Sequence, residues 1–134
     1  MNQICRDIFR AIHEGKWLKI EYRNKADQVT KYWIGIRDLD PRRRTMKVDG
    51  LHLGQFTIGE YDRIFIDSIL STEIIEGTYC PENRLLVEDI EMHPERYKNI
   101  FDTEEVMAKL GLILGSWNRG EKASGTMLDK ISRQ

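Results

Sequence analysis

The sequence predicts an α+β fold: an N-terminal helix packed on a small SH3-like or Sm-like β-barrel, then a short helical C-terminal extension. Three observations carry this. Apolar residues near the N-terminus recur every three to four positions, the helical period. From Leu18 the period drops to two, as in half-buried strands. Several short strand-like segments then follow one another with polar or glycine-bearing turns between them, the pattern of a small barrel or strongly bent sheet.

The elements follow in order. Ile4, Ile8 and Ile12, with Cys5, Phe9 and Ala11, form one apolar stripe, and Arg6, Asp7, Arg10 and Glu14 lie away from it. Gly15 stands where a left-handed cap ends a helix. Leu18, Ile20 and Tyr22 alternate with Lys19, Glu21 and Arg23 in a first strand, and Asn24-Lys25-Ala26-Asp27 makes a turn. A second strand runs from about Val29 to Arg37. Asp38 to Arg44 reads as a loop, because Asp and Pro are poor in central strands. Thr45 to Asp49 is a third strand. Gly50 to Tyr61, with Gly50, Gly54 and Gly59, reads as irregular or bulged. Arg63–Ile66 and Ile69–Ile75 give one or two more strands.

Beyond Thr78-Tyr79-Cys80-Pro81 the character changes. Residues 81–109 hold eight acidic residues against four basic ones, a net of −4. Leu85 to Ile90 is a last strand or a helical turn. Pro94 sits in the first turn of a helix, and Asp102-Thr103-Glu104-Glu105 has capping-box spacing. The expected organisation is a helix plus barrel over 1–80, an acidic helical extension over 81–114, and a flexible tail or linker over 115–134.

Composition narrows the function classes. The chain has 134 residues, 21 Lys+Arg against 22 Asp+Glu, and a formal net charge of −1. That balance argues against a chain built wholly for nucleic-acid backbone or anionic lipid, although it leaves room for a local patch. No apolar run approaches the roughly 20 residues of a membrane span. The N-terminus lacks the basic and apolar regions of a secretory signal. The expectation is therefore a cytoplasmic protein with no membrane partner and with Cys5 and Cys80 as free thiols. His13, His52 and His93 stand singly, with no metal-ligand spacing.

No phosphate-cradling glycine loop and no nucleophile elbow is present. Asp38 and Asp40 flank Leu39, and as a strand pair they could hold a divalent cation; as turn carboxylates they are solvated. No nucleophile stands with a base at a defensible spacing, so the expectation is a non-enzymatic protein without cofactor.

The densest positive feature is Arg42-Arg43-Arg44, extended by Arg37 and Lys47, with a local charge of +3 over 37–47. Guanidinium forks suit phosphate, and each contact releases condensed counterions. The alternative is a solvated loop whose arginines pair with nearby carboxylates. Tyr61-Asp62-Arg63 sets an aromatic and a guanidinium just before a strand, and aromatic faces can stack bases.

Two segments carry a family resemblance. The helix end Ala11-Ile12-His13-Glu14-Gly15-Lys16, followed by Leu18-Lys19-Ile20-Glu21-Tyr22-Arg23, resembles the opening of WYL domains. Tyr61-Asp62-Arg63-Ile64-Phe65-Ile66-Asp67-Ser68-Ile69 is similar to that family's closing segment. The resemblance covers about residues 4–76. It departs at Met46-Lys47-Val48, where the family's name tripeptide falls. It departs again at Phe65 and Ser68, where the family carries arginines of its presumed ligand face; Tyr22 and Arg63 keep to the pattern. The resemblance implies a Sm-like barrel and a sensing or nucleic-acid-binding accessory module, usually attached to a helix-turn-helix, nuclease or helicase. The resulting expectation is a module presenting Arg42, Arg43, Arg44, Lys47, Tyr61, Arg63 and Tyr22 to single-stranded nucleic acid or a nucleotide. It would be an accessory domain, a piece of a larger protein. The rival is a protein–protein or oligomerisation module, homomeric or docked on a partner enzyme domain, that uses the sheet edges and the acidic helices.

Overall fold

The computed structural model describes residues 2–77, 84–106 and 108. The expected boundary at 78–81 with Cys80, and the expected tail over 115–134, lie outside them. Residues up to Phe101 form one compact unit and Asp102 opens a second.

Helix α1 spans Gln3–Glu14. The Asn2 side chain starts it by accepting the Cys5 N–H at 2.8 Å. Gly15 ends it at φ 67°, the left-handed cap its position called for. Cys5, Ile8, Phe9, Ala11 and Ile12 are buried, as the stripe requires. Strands β1 (Trp17–Arg23), β2 (Val29–Asp40), β3 (Thr45–His52), β4 (Thr57–Phe65) and β5 (Ile69–Ile75) make one antiparallel sheet in the order β4-β3-β2-β1-β5. Helix α2 (Arg84–Met92) resolves the choice at Leu85–Ile90 in favour of a helix, and packs on α1 and β2. A 3-10 turn at Pro94–Tyr97 brings Phe101 edge-on to Phe9, ring centres 5.4 Å apart. In the second unit, the Asp102 carboxylate accepts the Glu105 N–H at 3.0 Å, so the predicted helix start is capped there. No described helix is long and apolar enough to cross a membrane.

The barrel expectation needs correction: β4 and β5 are the sheet's two edges and do not pair, so it is rolled but not closed. Its roll follows from topology. Only the 3-10 turn Ile66–Ser68 separates β4 from β5. Four Cα steps reach about 14 Å at most, whereas the edges of a flat five-stranded sheet lie about 19 Å apart. The sheet must therefore curl until the end of β4 comes near the start of β5. Bulges supply the curl. Val48 and Met46 on β3 face Ile36 and Leu39 on one side and Tyr61 and Ile64 on the other, so β2 and β4 each carry an extra residue at the same level. All six side chains then turn to the concave face, where all but Tyr61 are buried with Leu18, Ile20 and Ile34.

Two boundaries differ from expectation. Asp38–Asp40 lies in β2, leaving a four-residue turn at Pro41–Arg44. Gly50 and His52 lie in β3, and Gly59 and Tyr61 in β4, with Gly50 opposite Gly59 in register.

Candidate binding cleft

The incompletely closed sheet leaves a seam where the end of β4 meets β1. The strand ladder is replaced there by a side chain: the Phe65 N–H donates to Tyr22 Oη at 2.9 Å. Tyr22 belongs to the concave alternation of β1 and is only 8% exposed, so its ring is fixed by the core and its hydroxyl reaches across the gap. Beside this bridge opens a cleft of about 410 Å³ lined by Tyr22, Arg23, Asn24, Lys25, Arg63, Phe65 and Ser68.

Each wall has a local cause. Asn24 Oδ1 accepts the N–H groups of Ala26 and Gln28 at 3.0 and 2.9 Å, and Asp27 adopts φ 61°, which together fold the β1–β2 turn into one wall. Arg23 pairs with Asp27 at 3.2 Å. Lys25 and Arg63 make no ion pair among the described residues, so their charge is available to a ligand. Arg63 is placed by the β4 bulge between Tyr61 and Ile64. Behind Tyr22 lies an aromatic cluster: Tyr32 meets Tyr22, His52 and Tyr61 edge-on, with ring centres 6.4, 5.2 and 5.2 Å apart. Burial, and then the neighbouring Tyr61, raise the Tyr32 hydroxyl above its usual pKa. Gly50 makes room for Tyr61: a Cβ there would stand 2.8 Å from the tyrosine ring.

The basic run divides. Arg42, Arg43 and Lys47 are exposed on and beside the β2–β3 turn, with Arg43 3.9 Å from Asp40. Arg44 does not share their face. Its φ of 55° swings it back onto the protein, where Nε and Nη2 hold both Asp67 oxygens at 2.9–3.1 Å and Nη1 donates to the Asn99 carbonyl. Asn99 in turn donates to the Pro41 carbonyl. Hydrogen bonding to Arg44 holds the Asp67 carboxyl below its usual value and raises Arg44. Arg44 is thus a clamp between the turn and the Ile66–Ser68 segment. Asp38 and Asp40 also face their own backbone: Asp38 accepts the Leu39 N–H, and Asp40 accepts those of Arg42 and Arg43. Among the described residues no group of three or more His, Cys, Asp or Glu could hold a metal ion.

No family model and no curated protein matches the chain. Among solved structures it is similar to proteasome accessory factor B/C (PafBC) of Arthrobacter aurescens, at 12% identity and a TM-score of 0.43. The match covers 58% of this chain and 12% of that one.

Of the site residues expected from sequence, the cleft unites Tyr22 and Arg63. Tyr61 joins through Tyr32 rather than through the cleft wall. Arg42 and Arg43 belong to the β2–β3 turn and Lys47 to β3, and none of them lines the cleft. In the sequence alone Arg23, Asn24 and Lys25 show only a strand end and a turn. Their signal was their position directly after the Tyr22 strand, one turn from the residue that spans the seam. Phe65 and Ser68, two of the departures from the family pattern, both line the cleft and make it less cationic and more apolar than arginines would.

Proposed function

We propose that the chain is a non-enzymatic, WYL-like accessory or regulatory module that binds single-stranded nucleic acid or a nucleotide at the seam cleft. One observation carries the reading: Arg23, Lys25 and Arg63 converge on a cleft walled by the exposed Phe65 ring, beside the bridging Tyr22 hydroxyl. Cations satisfy phosphate, and an aromatic wall takes a base by stacking, without sequence readout. The family resemblance at Tyr22 and Arg63 supports the same residues. Ser68 and Asn24 supply small polar groups at the rim. Arg42, Arg43 and Lys47 would serve as a separate exposed contact for a longer strand's backbone.

The test is fluorescence anisotropy with labelled 12-mer oligodeoxythymidine, its RNA counterpart and adenosine monophosphate at 50 and 200 mM salt. Salt-sensitive binding that falls at least tenfold in the Lys25→Ala/Arg63→Ala double variant supports the reading. Binding that is absent, or equal in the double variant, refutes it.

A further inference from the structure

We infer that the free edge of β4 is a docking site for an extended strand of a partner protein, with an apolar, an aromatic and a basic residue opposite Ile58, Gly59 and Glu60. This goes beyond the cleft reading and does not depend on it.

Four observations point to such a strand. First, among the described residues β4 pairs only with β3, so its other side offers unpaired backbone groups to an added strand. Second, the convex face carries an apolar row in register, Trp33, Leu51 and Ile58, that runs outward and stops at this edge. Trp33 and Leu51 are half-buried, whereas Ile58 is 83% exposed and Phe56, at the adjoining turn, 79%. An apolar residue opposite Ile58 continues the row. Third, Gly59 faces the concave side beside Tyr61, and a Cβ there would meet nothing within 4 Å. The Tyr61 ring leans over Gly50 instead, so the space above Gly59 is open. A large ring from a neighbouring strand fills such a space over an edge glycine. Fourth, Glu60 and Asp62 add negative charge along this edge: Glu60 already holds Arg37 at 2.7 Å but its side chain stays 63% exposed, and Asp62 has no ion pair among the described residues. A cation opposite Glu60 complements this charge. The bulge after Tyr61 ends the regular ladder, so the docked strand spans about the five residues Thr57–Tyr61.

The full chain is titrated with a fluorescein-labelled nine-residue peptide. Its central residues are lysine, tryptophan and valine in that order, for antiparallel addition, and threonines flank them. Hydrogen exchange is read at Thr57–Tyr61 in parallel. Saturable binding with slowed exchange at these amides supports the proposal. So does a loss of about two- to fivefold in Glu60→Lys, the scale of one cross-strand charge pair, restored when glutamate replaces the peptide's lysine. The restoration also distinguishes lost charge from lost folding. No binding at millimolar peptide overturns the proposal, as does equal binding of a peptide with proline at its centre, which cannot form the ladder. It is likewise overturned if the amides are already protected in the free monomer, or become protected through concentration-dependent self-association, because the chain itself or a second copy then occupies the edge.

Discussion

Replacing Tyr22 with Phe isolates the bond that stands in for barrel closure. The ring and its contact with Tyr32 remain; only the hydroxyl is lost. The Phe65 N–H then loses its 2.9 Å acceptor in a partly buried position. A lost intramolecular hydrogen bond of this kind costs about 1 kcal/mol, more where water cannot replace it. The bond is part-buried rather than sealed in the core, so the lower figure applies. For a domain of this size that corresponds to a Tm lower by roughly 4–8 °C. Locally, the Phe65 amide should exchange about fivefold faster, while amides in the middle of β1 and β2 change only with global stability. Thermal denaturation and residue-resolved hydrogen exchange provide both readouts. A Tm within about 1 °C of the parent, together with unchanged exchange at Phe65, would refute the claim that Tyr22 holds the seam.

Three further outcomes are expected. Because Arg44 lowers the Asp67 pKa in the folded state, the pair stabilises the fold above the unfolded value near 3.8 and loses that contribution as pH falls through the lower folded value. Asp67→Asn should flatten the acid limb of a stability–pH curve and, since Asp67 is 70% exposed, cost only about 0.5–1 kcal/mol at neutral pH; equal acid limbs would contradict this. Gly50→Ala sets a methyl against the Tyr61 ring and should destabilise by roughly 1–3 kcal/mol with displaced Tyr61 and Tyr32 ring resonances; unshifted resonances would count against the packing described. Burial, outweighing nearby Arg44, raises the Cys5 thiol pKa, so in a Cys80→Ser chain it should react slowly with a thiol reagent at pH 8 and rapidly once urea unfolds the protein.

Local periodicity made much of the fold legible. The α1 stripe with its Gly15 cap and the alternation of Leu18, Ile20 and Tyr22 are encoded within a few residues, and they appear where the sequence puts them. Glycine misled the reading between Gly50 and Tyr61. Gly50 and Gly59 are strand residues, tolerated because they lie opposite each other and the Tyr61 ring occupies the space over Gly50. Open sheet against closed barrel was not legible, since closure depends on whether the edge strands β4 and β5, joined by only three residues, pair with each other, and here a tyrosine hydroxyl from β1 meets a β4 backbone amide instead. The same limit applied to the site. Composition singled out the arginine run, yet the positive φ of Arg44 sends one member inward to Asp67. Lys25 looked like an ordinary turn residue, because what makes it notable is its position across the seam from Arg63.

Nitrogen–proton correlation spectra of the full chain, recorded while 12-mer oligodeoxythymidine is added at low salt, test the cleft most directly. Shift changes centred on Arg23, Lys25, Arg63, Phe65 and Ser68 are the predicted result. Spectra that do not move, or changes confined to the turn at residues 53–56, would contradict it.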